Sequence, residues 1–147
     1  MQNYDLARFV IAQNGVFGYD RALAEIRAGR KQSHWMWYIF PQLTGLGRSE
    51  TARFYGIRDL GEAAAYLAHP VLGPRLREIS AALLELESSD ALAVMGSPDH
   101  CKLRSCMTLF LAADPTAEVF QRVLDKFYQG RPDGRTLGLL GQKDETK

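Results

Sequence analysis

Asp114-Pro115-Thr116-Ala117-Glu118-Val119-Phe120-Gln121-Arg122-Val123-Leu124-Asp125-Lys126-Phe127-Tyr128-Gln129-Gly130 is the stretch on which the fold class turns. Phe120, Val123, Leu124 and Phe127 recur at i, i+3, i+4 and i+7, the spacing of one buried stripe on an α-helix. Gln121, Arg122, Asp125 and Lys126 take the opposite side. Asp114 suits the N-cap, and Pro115 suits the first helical position, where a missing N–H costs nothing. Gly130 is the expected stop, since glycine readily takes the left-handed conformation that closes a helix. The pattern predicts a helix over residues 115–129.

Outward from that stretch the punctuation repeats. Leu76, Ile79, Leu83 and Leu86 recur every three or four residues with Arg77 and Glu78 outside, predicting a helix over 74–87. Ser97-Pro98-Asp99 opens a third, which continues through Leu103, Met107, Leu109, Phe110 and Leu111. Its second half is apolar on most sides, as expected of a central buried helix. Shorter helices are expected at 4–13, 20–28, 60–68 and 91–95. β-Branched runs bounded by turns, the mark of strands, are missing. The expectation is an all-α, compact multi-helix bundle.

A chain of 147 residues fits one domain, expected over 1–142, with the polar residues 143–147 as a disordered tail. Hydrophobic residues at 46% are enough for a core without disulfides or metal. Cys101 and Cys106 are five apart, about 140° in helical projection, so they do not pair readily. No CxxC or His/Cys spacing suggests zinc, and no cofactor is implied. Both cysteines read as small buried hydrophobes in a reducing compartment. Asp5 and Arg8 interrupt the N-terminus, and nothing has the length of a membrane span, so a cytoplasmic location is expected.

Net charge is +1, and the basic residues are scattered, which disfavours nucleic acid as a partner. Between residues 20 and 58, however, seven basic residues face three acidic ones. That excess reads either as a solvated surface or as attraction of an anionic small molecule into a cleft.

Lys31-Gln32-Ser33-His34-Trp35-Met36-Trp37-Tyr38-Ile39-Phe40-Pro41-Gln42 breaks the helical pattern. Two Trp, one Tyr and one Phe fall within six residues, without a polar face at either regular period. Aromatics of this size could simply nucleate the core. Alternatively Trp35, Trp37 and Tyr38 stack a ligand. His34 reads either as a neutral, hydrogen-bonded histidine or as a general acid/base, with Lys31 and Gln42 flanking it. Downstream, Gly45-Leu46-Gly47-Arg48-Ser49 precedes a short helix capped by Ser49. Such a loop can hold an anion, or can be only a turn that needs glycine. Neither the P-loop nor the dinucleotide-binding glycine pattern is present. His100 and Lys102 fall in the first turn of a helix, where the dipole disfavours cations, which hints at function or at a partner carboxylate, although His100 reads more simply as part of an exposed surface turn.

These same residues carry a family likeness. The run from Lys31 to Gln42, followed by Gly45-Leu46-Gly47 and Ser49, resembles a bacterial family known as domain-of-unknown-function family 1810. Asp99-His100-Cys101-Lys102-Leu103, Ser105-Cys106-Met107-Thr108-Leu109-Phe110, Phe127-Tyr128-Gln129-Gly130 and Asp133-Gly134-Arg135-Thr136-Leu137 resemble it too, with Cys106 where a serine is expected. The likeness spans residues 4–140 and adds weight to Lys102. It implies a mainly α-helical single domain and no established activity. Some members carry the label calpastatin, yet a disordered inhibitor rich in proline and charge is unlike this chain. More loosely, the family is similar to the YbiA-like (NADAR) proteins, helical domains tied to ADP-ribose and riboflavin-precursor N-glycosides.

Two functions follow as expectations. In the first, the protein binds or hydrolyses a phosphorylated nucleotide-like small molecule such as an ADP-ribose or N-glycoside. Trp35, Trp37, Tyr38, Gln42, Gly45, Gly47, Arg48, Ser49 and Lys102 would bind it, with His34 and Lys31 assisting cleavage of an N-glycosidic bond. That reading needs His34 and Arg48 to line a common solvent-reachable hollow. In the second, the protein is a non-catalytic interaction module or homodimer anchored by the aromatic residues.

Overall fold

The computed structural model describes residues 4–141; the tail expected at 143–147 lies outside them. Ten helices appear among the described residues. They are α1 (Ala7–Gln13), α2 (Tyr19–Arg27), α3 (Met36–Ile39), α4 (Glu50–Phe54), α5 (Leu60–Ala68), α6 (Leu72–Leu84), α7 (Ala91–Met95), α8 (Asp99–Ala113), α9 (Glu118–Tyr128) and α10 (Gly134–Gly141). No strand forms among these residues, and one isolated parallel bridge joins Leu43 to Ile57. The fold is all-α.

Helix α8 occupies the centre, as its apolar second half predicts. Leu103 and Ser105 through Phe110 are all buried, and α5, α7, α9 and α10 pack around it. The stripe of α9 behaves as its spacing requires: Phe120, Val123, Leu124 and Phe127 are buried against α6 and α8. A row of aromatic contacts crosses the core. Phe9 meets Tyr66 edge-on at 5.1 Å, Tyr66 meets Phe110 at 5.2 Å, and Phe110 meets Phe120 at 6.1 Å. Edge-to-face and tilted pairs satisfy the ring quadrupoles while filling space. The Tyr66 hydroxyl keeps a partner in this apolar row by accepting from Gln13 Nε2 at 3.1 Å.

Several boundaries differ from their sequence patterns, each for a local reason. Helix α9 starts at Glu118, because Asp114 ends α8 and uses its carboxylate on Thr116, at 3.1 Å from the backbone N and 2.6 Å from Oγ1. Asp114 therefore closes a turn over Thr116 instead of capping α9. Helix α6 begins at Leu72, where His69 Nδ1 accepts from the backbone N of Val71 (3.1 Å) and Leu72 (3.2 Å). Pro74 then falls inside the first turn, where N–H groups lack helical acceptors anyway. At the end of α9 the left-handed step falls on Gln129 (φ 58°), and Gly130 (φ 77°) donates back to the Leu124 carbonyl at 2.9 Å. No described helix is long and apolar enough to cross a membrane.

Phe120 is fully buried, so Phe120→Ala leaves a cavity that the neighbouring rings cannot fill. A loss of about 4 kcal/mol in urea unfolding is expected. An unchanged midpoint would show that α9 does not seal the core.

Candidate functional site

The aromatic segment is held in place by one carboxylate. Glu25 on α2 is buried, and four donors from a single stretch converge on it. The backbone N of Gln32 (2.7 Å) and of Ser33 (2.9 Å), and the Trp35 indole Nε1 (2.9 Å), reach Oε1, while the Ser33 hydroxyl reaches Oε2 at 2.6 Å. Burial by itself would raise this carboxyl. The hydrogen bonds from the Ser33 hydroxyl, the Gln32 and Ser33 amides and the Trp35 indole outweigh it and hold the group at about 2.

Lys31 is pinned just upstream. Its backbone N donates to Val94 O at 2.7 Å, and its ammonium, almost buried, lies 2.8 Å from Asp99 Oδ2 and 2.5 Å from Ser33 O. It also sits over the Trp35 ring, 4.8 Å from the centroid. Lys102, one turn along α8, reaches the other oxygen of Asp99 at 3.6 Å and lies 5.4 Å from the centroid of Trp37. This is the carboxylate that the unfavourable dipole position of Lys102 called for. One acid thus serves two ammonium groups, which leaves a surplus positive charge at the wall of the cleft.

The opposite wall is the loop from Gln42 to Ile57. Thr44 N donates to Ile57 O and Ile57 N to Gln42 O, both at 2.8 Å, closing the loop at its base. Arg8 clamps the residues that lead back to this base by donating to Phe54 O (2.8 Å) and Gly56 O (2.9 Å), and it also donates to Glu62 Oε2 (2.9 Å). Ser49 caps α4 by accepting from Ala52 N at 3.0 Å. Gly45 takes a positive φ of 100°, and a Cβ on Gly47 would fall 2.7 Å from the Ala52 Cβ. Both glycines are therefore needed by the turn itself.

Between these walls lie two adjoining hollows. The larger, about 510 Å³, is lined by Arg48, Lys102 and Arg135 with Asp133, and by Gln42, Leu46, Gly47, Ser49, Ala52, Pro98, Cys101 and Ser105. The smaller, about 350 Å³, is lined by Lys31, Gln32, Ser33, His34, Met36, Trp37, Met95, Ser97, Pro98, Asp99 and Lys102. Pro98 and Lys102 line both. Volumes of this order suit small-molecule ligands. Three cations outnumber the single acid in the larger hollow, Asp133. Its Oδ2 accepts from Thr136 N (2.9 Å) and Thr136 Oγ1 (2.6 Å), capping α10, and its own N donates to Thr108 on α8.

Lys31, His34, Trp37, Gln42, Gly47, Arg48, Ser49 and Lys102 thus gather around one composite cleft. His34 and Arg48 do not share a hollow as expected: His34, exposed, lines the smaller and Arg48 the larger, and the two meet at Lys102. Three expected ligand contacts do not line either hollow. Trp35 is fully buried with its indole N–H taken by Glu25, so it offers no stacking face. Tyr38 directs its hydroxyl to Phe17 O at 2.7 Å, and Gly45 faces Leu139. Arg135, Asp133, Ser105 and Cys101 join the cleft without having been expected there. Arg135 arrives because α10 folds back on α8, a long-range event without a local signature. Cys101 is exposed, contrary to expectation, whereas Cys106 is buried.

A family model described as a protein of unknown function (DUF1810) matches residues 3–140. The chain belongs to the DUF1810 family. A solved structure is similar over most of the chain: the conserved hypothetical protein Rv1873 from Mycobacterium tuberculosis is 47% identical, over 94% of this chain and 97% of that one, with a TM-score of 0.91. No curated protein matches the chain.

Glu25→Gln keeps the shape but removes the charge that four donors share, and should cost about 2 kcal/mol at neutral pH. The folded carboxyl lies at about 2, below the ordinary 4.5. Its stabilisation is therefore complete above about pH 4.5 and is lost as the pH falls through about 2. Urea unfolding across that range should show the gap between wild type and variant closing on acidification. A gap that stays constant to the acid end would remove Glu25 from its anchoring role.

Proposed function

We propose that the cleft binds a phosphorylated, nucleotide-like small molecule, with its anionic group in the larger hollow and its ring against Trp37. One observation carries this reading: Arg48, Lys102 and Arg135 line one hollow and outnumber its single acid, Asp133. Concentrated positive charge in a cavity favours an anion over water and raises its local concentration. Arginine suits the planar, bidentate recognition of phosphate. Trp37 is half-buried and borders the smaller hollow beside Lys102, where a flat heterocycle could lie on it.

Binding is better supported than hydrolysis. Cleavage of an N-glycosidic bond calls for a carboxylate that stabilises the developing cation or activates water. Asp99, at the junction of the hollows, is already shared by Lys31 and Lys102, and Lys31 is committed to Asp99 and Ser33. In this reading Lys31 holds the site together, and His34, exposed at the edge of the smaller hollow, is the remaining proton carrier.

A thermal-shift series with inorganic phosphate, ADP and ADP-ribose checks the reading. Ligand at a hundred times its Kd stabilises by about 2.7 kcal/mol, a rise of a few degrees for a chain of this size. Arg48→Ala combined with Arg135→Ala should abolish the shift. His34→Ala should leave it in place while removing any release of free base from ADP-ribose or an N-glycoside. No shift with any of the three compounds would defeat the proposal.

The interaction-module reading draws on a different surface. Ile11, Val16 and Phe17, at the end of α1 and in the turn after it, are 73%, 81% and 50% exposed. If copies of the chain associate through this apolar turn, Val16→Asp should lower the mass measured by light scattering. An unchanged monomer in both proteins would exclude it.

A further inference from the structure

Cys101 and His100 meet in the first turn of α8. The Cys101 Sγ faces the larger hollow and lies 3.5 Å from Nε2 of His100. Nδ1 of the same imidazole lies 3.2 Å from the Gly96 carbonyl. A carbonyl can only accept, so the neutral ring carries its proton on Nδ1 and turns the lone pair of Nε2 toward the thiol. The backbone holds this pair in place: His100 N donates to Gly96 O at 2.8 Å, and the Tyr128 hydroxyl donates to His100 O at 2.5 Å. Nucleophile, base and orienting group therefore stand in sequence, the arrangement that activates a thiol. Arg48, Lys102 and Arg135 line the same hollow. A thiol and three cations thus share one accessible cavity, with a base aimed at the thiol from beside it.

We propose that Cys101 is a nucleophilic thiol, activated by His100, that undergoes exchange with small disulfides carrying carboxylate groups, which the surrounding cations draw into the cleft. The thiol proton passes to His100 Nε2, and the Cys101 thiolate attacks one sulfur of the disulfide. The S–S bond of the reagent breaks as a new Sγ–S bond forms. The other half leaves as a thiolate and recovers the proton from the imidazolium. Cys101 is oxidised and the departing half is reduced, so the disulfide is the only oxidant required. The adduct places its carboxylates among Arg48, Lys102 and Arg135, which closes the cleft to other anions. Cys106, fully buried five residues along the same helix, takes no part and serves as an internal control.

The reduced, folded full chain tests this with two reagents: dithiobis(nitrobenzoate), which carries carboxylates, and dithiodipyridine, which is uncharged. One thiol per chain should react quickly and the other only after denaturation. Cys101→Ser should remove the fast phase, and Cys106→Ser should keep it. His100→Gln should slow both reagents about tenfold. Arg48→Gln with Arg135→Gln should slow the anionic reagent about tenfold and leave the neutral one unchanged. High salt on the wild type should reproduce that selectivity without any substitution. The assignment is overturned if Cys101 in the folded chain reacts no faster than in denaturant, if His100→Gln changes neither rate, or if the two reagents respond alike to salt. The result also separates this proposal from the ligand reading. A fast, charge-selective Cys101 in a protein that no nucleotide stabilises supports the thiol and removes the nucleotide.

Discussion

Everything around the cleft depends on the buried carboxylate of Glu25. A lone charge in this interior would be costly, but four donors from residues 32–35 solvate it in place of water. The same bonds decide where those residues go. With Gln32, Ser33 and Trp35 tied to α2, the Trp35 ring is drawn into the core, His34 is left outside, and Lys31 is delivered to Asp99. An irregular segment without a polar face becomes a rigid wall because four of its donors are spent on a single acid.

The second wall is built on similar terms. The Gln42–Ile57 loop has little regular structure, yet the Leu43–Ile57 bridge joins its two ends and Arg8 clamps the residues just before Ile57. Arg8 and Glu62 form an ion pair buried on both sides, and Glu62 also accepts from Arg58 N at 2.7 Å. A buried pair of this kind contributes less to net stability than to uniqueness, since an unpaired alternative would strand a charge. Arg48 and Ser49 are presented from a braced loop rather than a free one.

Charge in the cleft follows from which groups already have partners. Asp99 is divided between two lysines, and Asp133, the one acid lining the larger hollow, is outnumbered there by Arg48, Arg135 and Lys102. The net charge of +1 conceals this, because the excess is local. The cleft adjoins α8 along its first two turns, where Pro98, Cys101, Lys102 and Ser105 line it, so the central helix of the core also forms the base of the site.

By itself, the sequence determined the helical class, the buried stripe of α9 and the central position of α8, because those depend on spacing within one element. It also singled out residues 31–49 as unusual, and most of the cleft residues lie there. It could not divide the aromatic run between core and cleft: Trp35 and Trp37 are two residues apart, and only the distant Glu25 decides which of them is sealed. Nor could it bring Arg135 beside Arg48, or turn Cys101 outward toward His100 while Cys106 faces the core. Those outcomes depend on how helices pack across the fold, and packing joins residues whose separation in the chain carries no period to detect.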